Sequence, residues 1–310
     1  MLVFFVRRLI QAAVVLLVVF TITFAMVRLA PGGPFAGERV VAAEILAAQE
    51  KAYGLDASIL SQYGRALGLL LRGDLGPSYV YEGRSVNDLI GDAFPISLII
   101  GFAGFAIALL IGLPLGVLAA VRKNTALDHL ASGGAMLGIC LPSFVLGPIL
   151  ALIFGIRLNW FNASGWYDAS DWFLPALTLG LFYAAYIARL ARAGMLEVLS
   201  LDYIRTARAK GLAESVVVGK HALRRAILPV ASFLGPAFAG LISGSIVIER
   251  VFQIPGLGYH FVGAAMNRDY YLAQGTVVFY ALLIVLLNLV VDLVHAALDP
   301  RIREKGGLQS

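Results

Sequence analysis

Apolar residues along this chain fall into long runs, and the charged residues gather between them. A bilayer core needs about 20 mostly apolar residues per helix. Six runs are predicted to span: Leu9 to Val27, Phe94 to Val121, Leu130 to Ile156, Phe173 to Ala188 extending towards Arg189, Ala226 to Ile248, and Ala273 to Leu298. Only the last carries a charge, Asp292. The first run follows Arg7 and Arg8, as in a secretory signal. It is longer than the usual 7 to 15 apolar residues of such signals, roughly counted, and it ends in Met26-Val27-Arg28 instead of a small-residue cleavage site. It reads as a retained anchor.

An even number of spans puts both termini on one side, and the positive-inside rule decides which. Loops on the side of the termini (residues 1–8, 122–129, 189–225 and 299–310) hold 15 basic and 6 acidic residues. The opposite set (28–93, 157–172 and 249–272) holds 9 basic and 12 acidic residues. Both termini are therefore expected in the cytoplasm. The composition agrees with a membrane protein: 60% of residues are hydrophobic and 14% charged, with a mean hydropathy of +0.85. A net charge of +5 would suit nucleic acid on a soluble domain, but here the charge lies in loops between spans, where it sets topology. Cys140 is the single cysteine, so no intrachain disulfide and no cysteine metal cluster arises from this chain.

Outside the bilayer two segments stand out. The outer one, 28–93, opens on the turn cluster Pro31-Gly32-Gly33-Pro34 and continues with helical periodicity over Glu44 to Tyr53 and Ser58 to Leu71. It is expected to be a small helical subdomain, either a lid on the bundle or a docking surface. The inner one, 189–225, mixes its charges with helix formers. Ala191 to Leu199 continues the fourth span, Tyr203 to Lys210 forms a short helix, and Ala213 to Arg225 forms a second helix leading to Pro229. Gly211 suits the left-handed position after a helix C-terminus. Arg208 and Lys210 complement the negative end of the helix dipole. Anchoring to anionic lipid through Arg205, Arg208 and Lys210 is the bland alternative.

Chemistry of other kinds is hard to find. No P-loop occurs; Gly219-Lys220 runs into His221. His129, His221, His260 and His295 are scattered and show no zinc-binding spacing. Asp292 and His295 share a helix face, and an intramembrane acid is a candidate functional residue. Its place near the end of the last span favours a structural pairing. The glycines and prolines within the spans, as in Gly112-Leu113-Pro114-Leu115-Gly116, Leu141-Pro142, Gly147-Pro148 and Gly235-Pro236, permit close helix packing, kinks or hinges.

The stretch Tyr203-Ile204-Arg205-Thr206-Ala207-Arg208-Ala209-Lys210-Gly211-Leu212, followed by His221-Ala222-Leu223-Arg224-Arg225-Ala226-Ile227-Leu228-Pro229, resembles the coupling motif of bacterial ABC importer permeases. The start Phe5-Val6-Arg7-Arg8-Leu9 leading to Arg28-Leu29-Ala30-Pro31-Gly32, the stretch Glu249-Arg250-Val251-Phe252-Gln253-Ile254-Pro255-Gly256-Leu257-Gly258, and Asn267-Arg268-Asp269-Tyr270 with Asp299-Pro300-Arg301 are similar to the peptide and nickel branch. Pro34-Phe35-Ala36-Gly37-Glu38-Arg39 and Gly73-Asp74-Leu75-Gly76-Pro77-Ser78 look most like the B-type permeases of oligopeptide importers. Two departures from the wider superfamily, Arg205-Thr206-Ala207 in place of Glu-Ala-Ala and a long interval from Gly211 to Pro229, are typical of that branch.

The resemblance implies an all-α integral membrane protein of the ABC importer type I permease fold. It would have six transmembrane helices, a helical outer subdomain (28–93) and a cytoplasmic coupling helix within 189–225. The first helix occupies 1–27, the remaining five 94–298, and a cytoplasmic tail 299–310. It implies a permease that makes or breaks no bond, has no catalytic, cofactor or metal residue, and binds no nucleic acid. Partners would be membrane lipid, a second related permease, two ATPase subunits holding ATP and magnesium, a peptide-binding protein and the peptide itself. Tyr203, Arg205, Thr206, Ala207, Arg208, Ala209, Lys210 and Gly211 would meet the ATPase. In this reading Arg205, Arg208 and Lys210 pair with its acids, while Ala207 and Gly211 allow close approach. Residues lining the path are not legible. Alternatives are a dipeptide, nickel or glutathione importer, a proton-coupled carrier centred on Asp292 and His295, or a membrane receptor. Nickel would ordinarily want a cluster of His or carboxylate ligands, and the sequence has none.

Overall fold

In a bilayer an apolar run must satisfy its backbone internally, which selects helices. A computed structural model of the chain describes residues 2–30, 33–34 and 43–298. In chain order its helices begin with α1 (Leu2–Leu29), α2 (Ala43–Ala52), α3 (Ile59–Leu70), α4 (Val86–Val121), α5 (Ala126–Cys140) and α6 (Ser143–Leu150). They continue with α7 (Phe173–Leu199), α8 (Asp202–Ala209), α9 (Glu214–Val216), α10 (Leu223–Ala226), α11 (Leu228–Val251), α12 (Leu257–Met266) and α13 (Tyr270–Leu298). Wide, π-type turns extend α6 through Ala151–Arg157 and join α9 to α10 through Val217–Ala222.

Five helices, α1, α4, α7, α11 and α13, are long and apolar enough to cross a membrane. The third apolar run departs from the single helix expected over Leu130 to Ile156. It is broken into α5 and the α6 segment, which meet at 107°. The cause is Pro142, whose ring disfavours the helical conformation of the residue before it. Leu141 is accordingly extended, and the Pro142 carbonyl restarts the helix by accepting the Val145 N–H at 2.9 Å. Counting the bent pair as one span gives six. Helix α4 also begins eight residues before the expected Phe94. Ser85 and Asp88 form a capping box there: the Asp88 N–H donates to Ser85 Oγ at 3.1 Å, and the Ser85 N–H donates to Asp88 Oδ2 at 3.3 Å.

Contacts divide the chain into two compact units. One takes Met1–Ile96 and Pro255–Val290, the other Ser97–Ile254 and Val291–Leu298. In the first, Phe20, Phe24 and Tyr63 form an aromatic cluster, with the Phe24 and Tyr63 rings edge to face at 5.1 Å. The Arg28 guanidinium lies over Phe24 at 3.5 Å and donates through Nε to Gln62 at 3.0 Å. In the second, α7 is the central helix, packed by α5, α6, α10 and α11. Helix α4 also lies against α7 at two glycines. A Cβ on Gly112 would stand 2.6 Å from the Ala184 carbonyl oxygen, and one on Gly116 2.3 Å from that of Ala188. Only hydrogen fits there.

Candidate functional site

The segment 189–225 begins within α7, whose last turns carry buried Met195 and Val198. Helix α8 follows after the extended Leu201. Its residues Ile204 and Ala207, three apart, share a face and are buried in one apolar cluster with Ala120 of α4, Met195 and Val198 of α7, and Val217, Ala222 and Ala226. This cluster moors α8 to the ends of α4 and α7. The opposite face is polar and exposed: Asp202, Tyr203, Arg205, Thr206, Arg208 and Ala209 point away from it.

Each end of α8 has a local cause. Asp202 places an acid in the first turn, favourable to the helix dipole. At the other end Gly211 has φ +77°, and its N–H donates to the Arg208 carbonyl at 2.9 Å. A Cβ there would meet nothing of this chain within 4 Å, so within the chain the demand for glycine is conformational. Beyond the turn, Glu214 opens α9 and accepts two hydrogen bonds from Arg208, from Nε at 3.1 Å and from Nη2 at 2.6 Å. Arg208 holds the Glu214 carboxyl below the usual carboxylate range through that hydrogen bonding.

The eight residues expected to meet a partner lie on α8 and the turn after it, with three differences from expectation. Ala207 faces inward, so its small size serves the chain's own packing. Arg208 has its acid within the chain. Arg205 reaches Asp202 at 3.3 Å, Thr206 Oγ1 donates to the Asp202 carbonyl at 3.0 Å, and Tyr203 Oη donates to the His221 carbonyl at 3.4 Å. Ala209, Lys210 and Gly211 are exposed. The expected helix from Ala213 to Arg225 is present as α9, the wide turn and α10, ending before Ile227.

Four acids are buried among the described residues, Asp128, Asp171, Glu249 and Asp269, and none is assigned a role from the sequence. Asp128 of α5, 2% exposed, accepts from Arg192 of α7 through Nε at 2.6 Å and Nη2 at 2.9 Å, from the Asn124 N–H at 2.9 Å and from Ser132 Oγ at 3.2 Å. In the other unit Asp269 accepts from the Tyr79 N–H at 3.0 Å, the Val80 N–H at 3.2 Å, the Leu272 N–H at 3.1 Å, and Ser78 Oγ. It thereby ties the Pro77–Ser85 hairpin to the start of α13. A signal existed for Asp269, since Asn267-Arg268-Asp269-Tyr270 is one of the motifs quoted above. None existed for Asp128. The side chains of Asp292 and His295, and all of 35–42 and 299–310, lie outside the described residues.

Comparison with known proteins matches residues 112–304 to the model of a binding-protein-dependent transport system inner membrane component. Residues 1–101 match the N-terminal model of such membrane components. The oligopeptide transport system permease protein OppB of Haemophilus influenzae is 45% identical over 98% of this chain and 100% of its own length. The OppB protein of Escherichia coli K12 has the same figures. The dipeptide transport system permease protein DppB of Bacillus subtilis is 40% identical over 97% of both chains. Among solved structures, the MetNI methionine ABC transporter in an inward-facing form aligns with a TM-score of 0.59 at 20% identity, covering 68% of this chain and 96% of that one. That likeness bears on the fold, which is the helical permease fold. The chain is a multi-pass inner membrane permease, not an ATPase, and belongs to the family of binding-protein-dependent transport system inner membrane components.

Proposed function

We propose that this chain, paired with a second related permease, forms the path by which oligopeptides delivered by an outer binding protein cross the inner membrane. Two ATPase subunits beneath the pair supply the work by hydrolysing ATP with magnesium. Both termini and α8 lie on the cytoplasmic side, and 28–93 on the outer side contacts the binding protein or gates the mouth. The oligopeptide reading is supported by the 45% identity to permeases named for that cargo, against 40% and 37% for dipeptide permeases.

The observation that carries the coupling role is the mooring of α8. Its inward face is locked to the ends of α4 and α7, while Tyr203, Arg205, Thr206, Arg208, Ala209, Lys210 and Gly211 are presented outward on a capped helix. A push on such an element reaches the spans instead of being absorbed in a loop. The test is uptake into proteoliposomes holding the assembled transporter and its binding protein, with a labelled pentapeptide and a labelled dipeptide in parallel. ATP-dependent accumulation of the pentapeptide is expected. Dipeptide accumulation alone would move the cargo to the dipeptide class, and accumulation without ATPase subunits would overturn the proposal.

A further inference from the structure

We propose that Arg208 and Glu214 form an internal clasp that presets the turn between α8 and α9, making Arg208 a positioning residue and not a charge offered to the ATPase subunit. The inference rests on the coupling reading of α8. Its observation is the two-pronged contact between the guanidinium and the carboxylate, closed across Gly211. Glycine has the widest backbone freedom of any residue, so a turn built on it is the weakest point of a lever. A two-pronged Arg–carboxylate contact fixes direction as well as distance, and ordering the turn beforehand removes a cost that docking would otherwise carry.

The clasp also changes what the partner meets. With Arg208 occupied by Glu214 and Arg205 by Asp202, Lys210 is the cation of α8 and its turn without an ion-pair partner among the described residues. The outward face keeps its polar side chains, and Lys210 is the cation it offers to an acidic group of the ATPase subunit.

A charge-swap cycle in the assembled transporter tests this, reading substrate moved per ATP hydrolysed. Arg208→Glu and Glu214→Arg each set like charges across the turn and are expected to lower that ratio by up to about fivefold, the upper end for an exposed ion pair. The double swap is expected to restore it towards wild type. Should a reversed variant fail to assemble, Arg208→Gln and Glu214→Gln open the clasp without repulsion, and equal losses from the two are expected. A double swap no better than Arg208→Glu alone, or a silent Glu214→Gln beside a damaging Arg208→Gln, would overturn the clasp and place an ATPase acid against Arg208. Gly211→Asp separates the two levels, since an unchanged ratio in that variant would remove the coupling reading itself, whatever the swap shows.

Discussion

Gly211 carries a demand that can be isolated from its neighbours. Because its φ is +77° and the space around its missing Cβ is open, alanine there costs roughly 1–2 kcal/mol of local stability through backbone strain alone. Asparagine, which tolerates the left-handed region, costs less. Hydrogen exchange over 208–216 is expected to rank glycine, asparagine and alanine in that order of protection. For Glu214 the sign with pH follows from its lowered pKa. The carboxylate's contribution is present above the usual carboxylate range and is lost as pH falls through the depressed value. Coupling is thus expected to hold through mildly acidic pH, and loss on alkalinisation near neutrality would contradict the clasp. At Asp128, replacement by asparagine leaves Arg192 facing a site that no longer balances its charge. The Asp128→Asn variant is expected to unfold in detergent at a lower temperature than wild type, with part of the loss recovered in Asp128→Asn/Arg192→Gln. Gly211 was readable in the sequence because its cause is local, lying between a basic helix end and the start of the next helix. Asp128 was not readable: its partner is 64 residues away, and only the packing of α5 on α7 brings the two together.

Between helices the telling contact is that of α4 with α7. Gly112 and Gly116 let the two backbones touch, so Gly116→Ala must push the helices apart and is expected to cost about 1–3 kcal/mol, read as a lower thermal midpoint. Gly133→Ala, on a surface of α5 with nothing within 4 Å, is the control. It is expected to be neutral or to stabilise by up to about 1 kcal/mol through helix propensity; equal losses at the two positions would contradict the packing account. Run length located the membrane helices but not their ends. The early start of α4 lies in the Ser85–Asp88 box, a polar signal that an apolar count passes over. The break in the third run was written in Leu141-Pro142, yet hydropathy is blind to a bend that leaves both halves apolar. Helix α8 was legible because its basic end and the left-handed glycine after it fall within ten residues. Which of its faces turns inward became clear only with the cluster at Ile204 and Ala207.

For the whole molecule the asymmetry of loop charge is the signal on which the proposed orientation rests. In a Cys140→Ser background, a cysteine replacing Glu82 is expected to react with an impermeant maleimide from outside the cell. One replacing Lys210 is expected to react only after permeabilisation, and the opposite pattern would invert the topology. The permease family was visible in motifs spread over the full length, and the matches at residues 1–101 and 112–304 agree with that spread. Cargo was far less legible, because a path that accepts many peptides relies on backbone and general shape and leaves no residue code. The central claim is that this chain passes ATPase motion to its spans through α8. The direct measurement is ATP hydrolysis and uptake by the co-purified transporter carrying wild-type chain or Gly211→Asp. Co-purification with ATPase subunits, and hydrolysis that continues in the variant while uptake collapses, is the expected result. Full uptake by Gly211→Asp, or uptake by the chain alone in liposomes without ATP, would contradict it.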